Sequence, residues 1–246
     1  MRGLRDAVAF LTRVPGGAAR PDLARSVPWF PVVGLAIGAA VGGVYVAAAY
    51  VLPALVAAGL AVLAGVLATG ALHEDALADT ADALGARGPA DALRIMKDPV
   101  HGTYGIVALV LSLLLRTGAV SGLHVTALGV LPAAHALSRG AAVVLLGTVR
   151  PANFGGLGAS YAAAVSRRRA AVTGVVAVVL ATAAGGPWTL AGVAAVALVT
   201  FAAGRFALRR FGGLTGDVAG AVQQLTELVI LVPAAALVAT GHTTWW

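Results

Sequence analysis

Six of the ten carboxylates in this chain lie between Glu74 and Asp98, and the sequence on both sides is apolar for stretches long enough to cross a bilayer. An ionised side chain at the centre of a hydrocarbon layer costs about 2.5–3.5 kcal/mol. Acids gathered into one segment between apolar runs therefore mark a site at the water–lipid boundary. Asp75, Asp79 and Asp82 stand at i, i+4 and i+7, which on a helix sets them within about 60° of arc. Like charges on one face repel unless a cation sits among them, and carboxylate oxygens suit Mg²⁺ or Mn²⁺. A solvated helix face is the plainer explanation of a charge run. The adjoining span and the lack of any Lys or Arg between positions 26 and 86 favour the metal.

Composition sets the class. With 59% hydrophobic and 11% charged residues and a mean hydropathy of +0.91, the expected fold is all-α: a polytopic membrane bundle of about seven spans, with 1–246 as a single membrane-embedded domain. The absence of Cys removes disulfides, thiolate nucleophiles and Cys-ligated metals. A net charge of +7 would suggest nucleic acid in a soluble protein. Here Arg on loops sets topology and meets lipid headgroups, so no nucleic-acid partner is expected. Residues 1–25 lack the apolar core of a signal peptide and read as an amphipathic cytoplasmic arm, with Leu4, Val8 and Leu11 on one face.

Spans are expected at about 32–52, 54–72, 104–121, 124–148, 171–185, 188–204 and from Asp217 to about 240. The N-terminus is expected in the cytoplasm. The five-Arg arm, the acidic segment 73–103, the 149–170 loop and the 205–216 loop then share the cytoplasmic side of a multi-pass inner (plasma) membrane protein. Trp245 and Trp246 would anchor the far interface.

Asp217 follows Gly212, Gly213 and Gly216, where backbone N–H groups and a helix N-terminus can meet a phosphate. It also reads simply as the cap of the last span. Glu227 falls inside that span, where an acid is a functional candidate. Arg94, Lys97 and Asp98 mix cations with an acid about one turn apart; they read either as a helix pair or as a phosphate-neutralising cluster. Arg139, close to Ser138 and His135, is the stronger functional candidate among the intramembrane cations, while Arg116 reads as a snorkelling residue. His73 could be a ligand, a general base or a helix-entry residue; an ideal helix would point it away from the aspartates. His124 and His242 read as structural, and Gly155-Gly156-Leu157-Gly158 as a weak phosphate-loop hint. A cytoplasmic, cation-binding acidic site ringed by Arg and Lys fits phosphoryl or nucleotidyl transfer on a diphosphate-activated substrate.

The run His73-x-Asp75-x-Leu77-Ala78-Asp79-Thr80-x-Asp82, followed by Ile95-Met96-Lys97-Asp98 and Gly102-x-Tyr104-Gly105, resembles the cobalamin synthase (adenosylcobinamide-GDP ribazoletransferase) family. Phe10-Leu11-Thr12-Arg13-x-Pro15, Phe30-Pro31-x-x-Gly34, Ser138-Arg139, Gly156-x-Gly158 and Gly212-Gly213-x-Thr215-Gly216-Asp217 are similar to its other blocks. The resemblance implies attack by a hydroxyl of α-ribazole, or of its 5′-phosphate, on the cobinamide-side phosphorus of adenosylcobinamide-GDP, with GMP leaving. It implies Mg²⁺ at Asp75, Asp79, Asp82 and Asp217, phosphate stabilisation by Lys97 and Arg139, and a base that is His73 or one of the aspartates. Arg94, Asp98, Thr215 and Gly216 join the substrate-binding candidates. A homo-oligomer, or an assembly with other enzymes of cobalamin formation, is left open. The chain departs from the family pattern at Ala76 and Ala83 (usually Gly), at Pro99-Val100 (usually Ser then a basic residue, a charge His101 can restore), and at Gln224 (usually Glu). Two alternatives are a CDP-alcohol phosphotransferase, disfavoured by the aspartate spacing, and a cation or cobalt permease, disfavoured by few mid-membrane polar groups.

Overall fold

The computed structural model describes residues 2–14, 22–152 and 165–241. The Gly155–Gly158 cluster, His242 and the terminal tryptophans lie outside them. Among the described residues there is no strand, only an isolated bridge between Pro151 and Leu214. The helices are α1 (Arg2–Leu11), α2 (Leu23–Ser26), α3 (Phe30–Ala49), α4 (Ala54–Thr69), α5 (Leu72–Asp82), α6 (Pro89–Ile95), α7 (Thr103–Ser121), α8 (Ala127–Thr148), α9 (Arg167–Gly185), α10 (Thr189–Phe211) and α11 (Gly216–Ala239).

Six of these segments are long and apolar enough to span a membrane, and the bent pair α4–α5 makes a seventh if counted as one span. The expected 54–72 span is α4. At its end Gly70 (φ 64°) and Ala71 (φ 57°) both adopt left-handed backbone, and α5 departs at 90°. With 16 residues α4 is short for a span by itself, and the bent pair forms a broken span or a re-entrant loop. The fifth and sixth spans are longer than 171–185 and 188–204. Ser166 caps α9 by accepting from the Arg169 N–H at 3.3 Å, which draws Arg167, Arg168 and Arg169 into its first turn. Arg205, Arg209 and Arg210 ride on the last turns of α10 rather than in a loop.

The central helix is α8, packed by α3, α9 and α11. Gly34, Gly38 and Gly42 at i, i+4 and i+8 form the face of α3 against it. A Cβ at any of them would press on the carbonyl oxygens of His135, Leu131 or Ala127 respectively. Small residues on a four-residue repeat let membrane helices approach backbone to backbone. The outer faces of α7 and α10 carry exposed Ile106, Val110, Leu114, Leu198 and Phe201, suited to lipid.

The expected gathering of polar segments at one end is observed. The Arg13 N–H donates to the Ala68 carbonyl at 2.7 Å, tying the exit of α1 to the end of α4. Arg210 donates to the carbonyls of Ala83, Leu84 and Ala86, tying α10 to the turn after α5. Pro151 and Leu214 join the two remaining loops.

The α3–α8 contact makes one expectation specific. Gly38→Ala overpacks the interface and costs about 1–3 kcal/mol, read as a lowered thermal midpoint in detergent. Gly43→Ala, on the same helix but with nothing within 4 Å of the added Cβ, leaves the midpoint undiminished.

Candidate active site

The turn at Gly70–Ala71 delivers α5 across the N-terminal ends of α7 and α11, and its polar side chains divide into four sets. Asp75 and Asp79 form the first, facing His101 from the loop before α7. His101 Nε2 lies 3.6 Å from Asp75 Oδ1, and Nδ1 lies 3.5 Å from Asp79 Oδ1. One donor atom from each of the three falls within 4.8 Å of the others. Burial first, then the charges of Asp75 and Asp217, push the Asp79 carboxyl up to about 6. His101 Nδ1 is buried without a hydrogen bond. Two carboxylates and an imidazole with an orphaned nitrogen fit a divalent cation with hard to borderline preferences.

Asp82 goes elsewhere. Its Oδ2 accepts from the Gly102 N–H at 2.7 Å and its Oδ1 from Gly105 at 2.8 Å, so it caps the N-terminus of α7, where unpaired N–H groups favour an anion. The spacing places Asp82 on the aspartate face, but its position as the last residue of α5 lets it meet the neighbouring helix start. The structure thus sets it apart from Asp75 and Asp79, with both oxygens engaged. No Cβ would fit at Gly105 beside it.

The third set faces a cavity of about 190 Å³ whose lining includes His73, Asp75, Arg139, Gly216 and Asp217. Asp75 is common to the cavity and the donor cluster. His73 begins α5 just beyond the left-handed turn, which brings it into the cavity with Asp75. Burial holds its imidazole neutral, well below the ordinary histidine value, with the Arg139 charge adding to the effect. Thr215 caps α11 by accepting from the Val218 N–H at 3.2 Å, and Asp217 follows in the first turn.

Arg94, Lys97 and Asp98 are exposed around α6 and do not line this cavity. Arg94 pairs with Asp91 at 2.7 Å, and Asp98 closes a turn by accepting from the Val100 N–H at 3.0 Å.

Beneath the aspartates lies a buried charge network that sequence reasoning reached only in pieces. Arg116 does not snorkel. It is 4% exposed, with Nη1 2.7 Å from Glu74 Oε1 and Nε 3.1 Å from Glu227 Oε1. Snorkelling would need a path to the interface, whereas α5 folds Glu74 directly onto the guanidinium. Arg139 lies 3.3 Å from the other oxygen of Glu227 and 2.7 Å from His135 Nδ1. Gln223 donates to Glu227 at 2.7 Å, and Gln224 donates to Glu74 at 3.1 Å while accepting from Arg116 at 3.0 Å. Gln224 is therefore a member of the ion network, and Glu74 supplies Arg116 with the carboxylate missing at 224. The available signal was an unpaired Arg116 in α7 and an acid at 74 outside the aspartate face; their proximity was not readable without the 90° turn.

The bundle is that of a multi-pass membrane protein with an acidic, cation-suited site at one end. The chain matches the cobalamin-5-phosphate synthase family over residues 3–236 and belongs to it. The adenosylcobinamide-GDP ribazoletransferase of Azorhizobium caulinodans is 46% identical, the alignment covering 92% of each chain. That of Bradyrhizobium diazoefficiens is 40% identical over 95% of this chain and 93% of the relative, and that of Ralstonia nicotianae 37% identical over 94% and 93%. No solved structure matches.

The network's charge balance, two carboxylates against two guanidinium groups, carries a test. Gln224→Glu adds a third acid beside Glu74 and lowers the thermal midpoint; combining it with Glu74→Gln restores it. Arg116→Leu leaves buried carboxylates uncompensated and costs about 3–5 kcal/mol.

Proposed function

We propose that this chain transfers the phosphocobinamide group of adenosylcobinamide-GDP to α-ribazole or its 5′-phosphate, giving adenosylcobalamin or its 5′-phosphate and GMP. The observation that carries the reading is the convergence of Asp75, Asp79 and His101 at the edge of a cavity shared with His73 and Asp217. The reaction forms a bond between a ribose ring hydroxyl oxygen of ribazole and the cobinamide-linked phosphorus, leaving untouched the 5′ position that carries the phosphate of the alternative acceptor, and breaks the bond from that phosphorus to the bridging oxygen. The bridging oxygen leaves with GMP, and the hydroxyl proton must be taken up.

Asp75, Asp79 and His101 would hold Mg²⁺, with Asp217 across the cavity as a further carboxylate. A bound Mg²⁺ would neutralise diphosphate oxygens and favour ionisation of the attacking hydroxyl. His73, neutral in the cavity, stands where it can take the proton. Arg139 presents a cation to the cavity while Glu227 holds its orientation. Lys97 and Arg94, exposed on the segment leading to His101, are the proposed contacts to the outer phosphate of the large substrate. Asp82 acts by anchoring the start of α7, which fixes the His101 loop.

We further assign the site to the cytoplasmic face of the plasma membrane. Arg87, Arg94, Arg150, Arg167, Arg168, Arg169, Arg209 and Arg210 all lie at the site end. The opposite turns around Pro53, Gly122 and Gly186 carry neither Lys nor Arg. The family assignment lends no support to the phosphotransferase and permease alternatives.

The test is turnover of adenosylcobinamide-GDP with α-ribazole by detergent-purified protein. Metal-dependent GMP release with formation of the cobalamin product is expected, falling at least a hundredfold in Asp79→Asn. Mn²⁺ binding, followed by its electron spin resonance, is expected to weaken as pH falls through about 6, because protonated Asp79 no longer offers its oxygen. No product from folded protein would overturn the transfer, and product formation indifferent to metal and to Asp79→Asn would overturn the metal role of the Asp75, Asp79 and His101 cluster.

A further inference from the structure

The lining of the cavity beside the carboxylates is of two kinds: polar side chains (His73, Asp75, Arg139 and Asp217) and an apolar set made of Phe10 and Leu11 of α1, Phe30 of α3 and Leu146 of α8. The rings of Phe10 and Phe30 stack, 5.6 Å between centroids and 8° from parallel. They form a rigid aromatic wall already in place. Such a wall suits a flat, uncharged ring and offers nothing to a phosphate.

The two substrates of the proposed reaction differ in what they could place here. A cavity of about 190 Å³ lies below the roughly 300–1,000 Å³ typical of sites that engulf a drug-sized ligand. It excludes a corrin ring and admits a fused bicyclic base. The acceptor is a benzimidazole riboside: a planar apolar base on a ribose whose ring hydroxyl must reach the metal-suited carboxylates. The cavity and the cluster share Asp75, so a base against the apolar side chains leaves its ribose beside the reacting position. The diphosphate donor, bulky and charged, is left to approach from outside the cavity.

We propose that this cavity is the acceptor-base subsite, holding the benzimidazole ring of α-ribazole against the Phe10–Phe30 wall; the assignment rests on the transfer reading above. It gives α1 a role beyond membrane attachment. The arm is pinned to the end of α4 by the Arg13–Ala68 hydrogen bond, so it supplies one wall of the site from the far end of the sequence.

The test uses the full chain in detergent. Quenching of the benzimidazole fluorescence of α-ribazole reports binding without turnover, and initial rates give KM for each substrate. Ala142, at the cavity wall, becomes Phe to fill it, and Phe10 becomes Ala to remove the aromatic face. Expected are a tenfold or larger rise in the Kd and KM for α-ribazole in Ala142→Phe and a smaller rise in Phe10→Ala. The KM for adenosylcobinamide-GDP stays within twofold, and free benzimidazole competes with α-ribazole in the unmodified protein. Unchanged ribazole binding in a folded Ala142→Phe, an equal rise in both KM values, or displacement by added phospholipid but not by benzimidazole would each overturn the subsite. If Ala142→Phe does not fold, the Phe10→Ala and benzimidazole results decide. Saturable, benzimidazole-sensitive ribazole binding without any product would instead count against the transfer reading while leaving the subsite standing.

Discussion

The buried exchange among Glu74, Arg116, Glu227 and Arg139 is the interaction on which the rest depends. Four ionisable groups in the interior of a membrane bundle are tolerable only because each guanidinium meets a carboxylate, and Gln223 and Gln224 add amide donors to Glu227 and Glu74. The residues come from α5, α7, α8 and α11, so the network ties the polar helix to three spans at once. Because Glu74 precedes Asp75 directly, the pairing with Arg116 also sets which way α5 presents its aspartates. With Glu74 already paired to Arg116, the amide of Gln224 bonds both without adding a further charge.

Two backbone features make that arrangement reachable. Left-handed Gly70 and Ala71 end α4 and turn the chain by 90°, converting a continuation of the span into a helix laid across the bundle end. Asp82 then receives the N–H groups of Gly102 and Gly105. The loop between α5 and α7 is thereby held at both sides, with His101 beside Asp75 and Asp79. On the other flank the close glycine contact of α3 with α8 brings Phe30 toward Arg139 and Leu146, closing the cavity that α1 completes.

The fold class was legible because bilayer-length apolar runs are local in sequence and leave few alternatives. So was the sharing of one end by the Arg-rich arm, the acidic segment and the later loops, since charge asymmetry follows span parity. The grouping of Asp75 with Asp79 was readable from helical periodicity. Asp82 obeys the same periodicity yet serves α7, because an unpaired helix N-terminus lies within its reach and periodicity carries no information about neighbours. His101 was noticed only as a replacement charge: a lone histidine 22 positions after Asp79 has no spacing signal. Arg116 looked like a snorkelling cation because its partner, Glu74, is 42 residues away across a bend that no pattern announces.

By itself, then, the sequence determined that the chain is a helical membrane protein with a carboxylate site at one end, since hydrophobicity, period and charge act over one or two turns. Only the tertiary structure decided which carboxylates stay open to a cation, which are consumed by helix ends or guanidinium groups, and which apolar side chains wall the cavity beside them. Those outcomes are competitions between partners distant in sequence, and they are settled by how helices cross and turn rather than by what any one helix contains.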